Sequence, residues 1–180
     1  MRDDIARILI SEQELQQKVK DLSRIITNDY IGKNLMLICV LKGGIMFVTD
    51  LMKNITIPVQ IDFMAISSYG MSTTTSGVVR ILKDLETEVV GKDLLIVEDI
   101  VDSGLTLKYL KEMLLSRNPN SIKICTILDK PEGRQVDVKA DYVGFNIPDE
   151  FVVGYGLDYA EKYRNLPFVG VLKPEIYKKA

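Results

Sequence analysis

A chain of 180 residues, 47% apolar and 27% charged, has the length of one domain and the composition of a folded one rather than of a disordered segment. Its formal net charge of −2 supplies no global positive field, so neither nucleic acid nor an anionic membrane is expected as a partner. Histidine is absent, which excludes Ser/His/Asp and Cys/His catalysis and His-ligated zinc; the chemistry left is that of carboxylates, lysines, arginines, tyrosines or a hard cation.

The first residues carry Asp3 and Asp4 where a signal peptide needs positive charge, and no apolar run reaches transmembrane length, so the expected location is cytoplasmic. Ser11 and Glu14 form a capping-box pattern ahead of Leu15, Val19, Leu22 and Ile26 on one face, which predicts a helix over 11–30. Residues 35–41 are wholly apolar and end at a glycine pair, as a strand buried on both faces does. A helix over 44–52 and a strand over 59–66 follow, and then a small, polar stretch over 67–77 that reads as a mobile loop. Cys39 and Cys125 sit in apolar runs with no CxxC spacing, so both are expected as reduced thiols packed in the core.

Residues 94–97 form a third buried strand, broken by the acidic turn 98–104, after which Leu107, Leu110 and Leu114 mark a helix. Strands over 122–128, 142–147 and 151–153 complete the series, with Pro131-Glu132-Gly133 and Pro148-Asp149 as turns. The alternation predicts an α/β fold: a mainly parallel central sheet flanked by helices, one domain over 1–180, with ligands at the carboxyl ends of the strands. Three polar segments, Lys42-Gly43-Gly44, 98–106 and Asp129-Lys130, each follow a buried strand and so point to one crevice.

Glu98, Asp99 and Asp102 crowd three like charges into five positions. Unless they splay into water as a solvated turn, they need a hard cation, ribose hydroxyls or a proton. The next stretch, Ser103, Gly104, Leu105 and Thr106, is small and hydroxylated and opens a helix, where free N–H groups and the dipole favour a phosphate. Ribose 5-phosphate satisfies both halves. Lys42-Gly43-Gly44 sets a cation beside open backbone, either a pyrophosphate cradle or an ordinary turn.

The segment 94–106 resembles the phosphoribosyl pyrophosphate motif of the type I phosphoribosyltransferases, and nearly the whole chain is similar to the bacterial hypoxanthine-guanine branch of that family. The resemblance implies a small hood built from the N- and C-terminal segments, above the parallel sheet. It implies that Glu98 and Asp99 bind the ribose hydroxyls and help place Mg2+, that Ser103, Gly104, Leu105 and Thr106 hold the 5-phosphate, and that Asp102 faces the purine N7 as general base or acid. Lys42, after a cis peptide bond, and Gly43 would hold pyrophosphate together with Arg164. Lys130 would donate to the purine O6, Phe151 would stack on the ring and the Val152 backbone would bond the base edge, where the same residues otherwise read as a surface lysine and core. Asp158 would carry a second magnesium beside the purine, and Ser68-Tyr69 would belong to a closing lid. The implied partners are phosphoribosyl pyrophosphate, hypoxanthine or guanine and the products IMP or GMP, in a homodimer or homotetramer. A regulatory relative that senses the same donor and binds RNA or DNA lacks support, since there is no Lys/Arg-rich stripe; a receiver or nucleotide-binding module lacks both GxxxxGK[ST] and GxGxxG.

Overall fold

The computed structural model describes residues 1–68 and 79–178. In chain order these form β1 (Ile5–Ile10), α1 (Glu12–Asp29), β2 (Leu35–Leu41), α2 (Ile45–Asn54), β3 (Gln60–Ser68), β4 (Val79–Lys83), β5 (Asp93–Val101), α3 (Leu105–Leu115), β6 (Ser121–Asp129), β7 (Tyr142–Asn146), β8 (Val152–Val153), β9 (Val169–Leu172) and α4 (Pro174–Tyr177).

Six strands make one sheet in the order β4-β3-β2-β5-β6-β7, parallel throughout except for β4 against β3. Side chains alternate across it. Leu37, Cys39, Leu95, Val97, Cys125 and Ile127 face a core closed by Leu15, Val19 and Ile26 of α1 and Phe47 and Leu51 of α2. Met36, Ile38, Leu94, Ile96 and Ile124 face Leu107, Leu110 and Leu114 of α3. Burial on both faces is why β2 is apolar at every position. The capping box at α1 forms as the pattern predicts: Glu14 N–H donates to Ser11 Oγ at 3.3 Å, and Ser11 N–H donates to the Glu14 carboxylate at 2.8 Å.

A second sheet, β1-β9-β8, is antiparallel and joins residues from both ends of the chain, the hood implied by the resemblance. Tyr155 OH reaches across to Asp50 of α2 at 2.9 Å, and Arg7 of β1 donates to both carboxylate oxygens of Glu150 at 2.6 and 2.8 Å.

Two expectations need correction. β5 does not break at the acids: it runs on to Val101 because Glu98, Ile100 and Val101 pair with Thr126, Leu128 and Asp129 of β6. Ser67 and Ser68 belong to β3, paired with Arg80 and Val79, rather than to a loop; Tyr69 lies outside the described residues. The short elements β1, β4, β9 and α4 carry no pattern long enough to be read from the sequence. No described helix is long and apolar enough to cross a membrane.

Candidate functional site

The chain leaves β2 through α2 toward β3 on one side, and leaves β5 through α3 toward β6 on the other. Such a reversal opens a crevice beyond the carboxyl ends of the two strands. Lys42-Gly43-Gly44 and the 98–106 segment sit on its two lips, because the first follows the end of β2 and the second spans the end of β5 and the start of α3.

The Leu41–Lys42 peptide bond is cis. Gly43 abuts β5 so closely that a Cβ there would run into the Asp99 carboxylate, which explains why this position carries no side chain. Alternation along β5 turns Glu98 the other way, where it lines a pocket of about 130 Å³ with Asp102, Ser103, Gly104 and Thr106. Leu105 N–H donates to Ser103 Oγ at 3.4 Å as α3 begins.

Burial pushes the Glu98 carboxyl well above the usual carboxylate range, and the neighbouring Asp99 charge adds to it. Burial likewise pushes Asp99 up to about 6, against the hydrogen bond its Oδ1 accepts from Ile100 N–H at 2.9 Å. Two desolvated carboxylates, with Arg164 the cation whose charge reaches Asp99, fit Mg2+, which takes one or two protein carboxylates and completes its shell with water and substrate phosphate. Among the described residues no group of three or more His, Cys, Asp or Glu is placed to hold an ion by itself.

Lys130 is buried, 7% exposed, with Nζ 3.3 Å from Asp149 Oδ1 and 3.9 Å from Asp102 Oδ2. It is not a surface lysine: its backbone N–H donates to Val101 O at 2.9 Å, which fixes it beside the acidic segment. Asp149, read from the sequence only as part of a turn, is thus a site residue with no local signal. Arg134 is another. It pairs with Asp129 of β6, both largely buried, and donates to Val138 O at 3.1 Å, while Gln135 N–H donates to Ser103 O at 3.0 Å. The stretch after β6 therefore buttresses the proposed phosphate loop.

Phe151 is 37% exposed rather than in the core. Its ring lies 4.6 Å from Tyr177 at 19° and meets Tyr159 edge-on at 5.7 Å, two aromatics the sequence did not single out. Val152 is buried in β8 beside it. Asp158 and Arg164 pair at 2.8 Å, and Arg164 Nη1 donates to Gly156 O at 2.8 Å. A Cβ on Gly156 would strike Gly43 O, so the 154–164 turn rests on the Lys42-Gly43 loop. Glu161, not singled out either, bridges the two, with its carboxylate 2.9 Å from Lys42 Nζ and 3.4 Å from Arg164 Nη2. The structure thus gathers Lys42, Gly43, Glu98, Asp99, Asp102 to Thr106, Lys130, Asp158 and Arg164 around one crevice.

The model of the phosphoribosyl transferase domain matches residues 8–160. The chain belongs to that family. This phosphoribosyl transferase is 57% identical over 178 residues to the hypoxanthine-guanine phosphoribosyltransferase of Bacillus subtilis, 99% of either chain being covered. It is 54% identical over 179 residues to the bifunctional protein TilS/HprT of Listeria monocytogenes, covering 99% of this chain and 28% of that protein. The phosphoribosyl transferase chain thus spans about a quarter of the length of that curated relative. A crystal structure of a hypoxanthine phosphoribosyltransferase from Staphylococcus aureus matches it with a TM-score of 0.96 at 50% identity, over 99% of this chain and 97% of that one.

Proposed function

We propose that this chain transfers the 5-phosphoribosyl group from phosphoribosyl pyrophosphate to N9 of hypoxanthine or guanine, giving IMP or GMP and pyrophosphate, in purine salvage. The observation that carries the reading is the convergence, at one switch point, of a carboxylate pair, a helix-start pocket and the cations Lys42 and Arg164. The N9–C1′ bond forms as the C1′–oxygen bond to pyrophosphate breaks, and positive charge develops on the ribose in between. In this reading Glu98 and Asp99 take the ribose hydroxyls and face that charge, and Ser103, Gly104, Leu105 and Thr106 hold the 5-phosphate through hydroxyl and backbone N–H groups. Lys42, the Gly43 backbone and Arg164 bind the departing pyrophosphate. Asp102 takes or gives the purine proton at N7. Its exposed carboxylate and buried Lys130 place an acceptor and a donor side by side, suited to N7 and O6 of one base. Lys130 favours a carbonyl at O6 over the amino group of adenine. Phe151 stacks on the base, and the Val152 backbone meets its edge.

Glu98 and Asp99 would help hold one Mg2+ and Asp158 a second, with the donor's phosphates completing the shells, and the metal would supply charge neutralisation for the leaving group. Ser68 and Tyr69 belong in this reading to a lid that excludes water. Residues 1–180 act as one domain, supported by the hydrogen bond from Tyr155 OH, just after β8, to Asp50 of α2. The expected setting is cytoplasmic, as a homodimer or homotetramer.

Ultraviolet absorbance of the protein with magnesium, phosphoribosyl pyrophosphate and each of hypoxanthine, guanine, xanthine and adenine tests the reading. Nucleotide should form with hypoxanthine or guanine and not with adenine; silence with all four would sink it.

A further inference from the structure

Resting on the proposed transfer, we propose that Glu161 is a built-in competitor for pyrophosphate, its carboxylate holding Lys42 and Arg164 until pyrophosphate oxygens displace it. Lys42 Nζ sits 2.9 Å from Glu161 Oε2, and Arg164 Nη2, paired with Asp158 at 2.8 Å, also sits 3.4 Å from Glu161 Oε1, so the two oxygens of one carboxylate reach both cations assigned to the leaving group. The backbone aims this carboxylate. Glu161 adopts φ 62°, and Ala160 and Tyr163 adopt 51° and 77°, left-handed values uncommon for residues with side chains. The turn is held by the hydrogen bond from Glu161 N–H to Asp158 Oδ2 at 2.9 Å and by reciprocal backbone bonds between Tyr159 and Lys162 at 3.2 and 3.1 Å.

Exposure decides between a structural pair and a displaceable one. Lys42 is 66% exposed and Glu161 65%, so their pairing is a surface contact of small worth that a multiply charged ligand can break without uncovering a desolvated charge. Hydrogen bonding and the charge of Lys42 hold the Glu161 carboxyl below its usual range, so it remains an anion at neutral pH. One carboxylate cannot match the charge of pyrophosphate, so the donor wins the cations when it arrives. Once the glycosidic bond has formed, the carboxylate returns and hastens release of the product anion. Glu161 is therefore a positioning residue for these cations, and it limits how tightly pyrophosphate is held.

Calorimetric titration of the whole protein with magnesium pyrophosphate separates the outcomes. Glu161→Gln, which keeps the shape and loses the charge, should bind pyrophosphate about three- to ten-fold tighter at low salt. The gap should narrow as added salt shortens the Debye length, and Glu161→Asp, which keeps the charge, should stay near the parent. Glu161→Asn, a residue that tolerates the left-handed region, carries the same expectation as Gln and guards against a folding defect. Equal or weaker binding by both neutral variants would overturn the competitor role, because a merely structural glutamate would loosen the site on removal. No detectable binding by any form, the parent included, would overturn the pyrophosphate assignment of Lys42 and Arg164 and the proposal with it.

Discussion

In the proposed reaction, position rather than residue type makes Lys130 a specific donor. An ammonium on the surface would be hydrated and indifferent; here it is buried between Asp102 and Asp149, so a base that offers no acceptor leaves it short of a partner. Replacing it by Gln removes a charge-assisted hydrogen bond worth about 1.5–3 kcal/mol, and kcat/KM for hypoxanthine should fall roughly 10- to 150-fold. Steady-state kinetics would show this; an unchanged value would remove Lys130 from base recognition. Gly43→Ala makes a steric prediction instead. The added methyl meets the Asp99 carboxylate, so the loop must move, and KM for phosphoribosyl pyrophosphate should rise at least ten-fold while the melting temperature changes little. At this scale the sequence was informative where chemistry is contiguous, as in Glu98 to Thr106. Asp149, Arg134, Glu161 and Tyr177 were illegible because each acts through a partner distant in the chain or across a turn, and nothing in its own neighbourhood announces that partner.

Elements follow the same logic at longer range. α1 could be read to within a residue, since its capping box and apolar stripe are both local, and the helix needs only to lay that stripe on β2. Ser11→Ala removes the acceptor for Glu14 N–H and should lower stability by about 1 kcal/mol in urea unfolding. β5 was read too short because three carboxylates look like a turn; the partner strand β6, absent from any local window, keeps the residues extended. The strand next to the sheet's edge holds a comparable case in Asp62 of β3. Burial pushes this carboxyl up, yet N–H donors from Phe63, Thr87 and Glu86 outweigh it and hold the group below its usual range. The folded state thus prefers the ionised form. That contribution is complete above the unfolded value near pH 3.9 and is lost as pH falls through the lower folded value. Asp62→Asn should cost about 1–2 kcal/mol at pH 7, with the gap to the parent closing below about pH 4. A gap independent of pH would show that the donors do not act through the charge.

Across the whole molecule, the six-stranded sheet carries its own reporter of cooperative opening. Cys39 of β2 lies opposite Val97 of β5, and Val97 opposite Cys125 of β6, so the two thiols sit on one face, one strand apart on either side of the sheet's centre. Two strand spacings separate their backbones by roughly 9–10 Å, beyond the reach of a disulfide, in keeping with the reduced core thiols expected from the sequence. Both are fully buried, and burial raises the Cys39 thiol to about 12 and Cys125 further still, so neither offers thiolate at neutral pH while the sheet is closed. A thiol reagent such as 5,5′-dithiobis-nitrobenzoate should therefore label both at one common slow rate, set by unfolding of the sheet rather than by thiol chemistry. If reclosing outpaces labelling, phosphoribosyl pyrophosphate with magnesium should slow that rate by the factor 1 + [L]/Kd, because the proposed site lies at the carboxyl ends of β2 and β5 and exists only when they are in register. Two different rates would instead divide the sheet into parts that open independently. A common rate unmoved by saturating donor would mean that the site at the strand ends is not coupled to the fold that presents it.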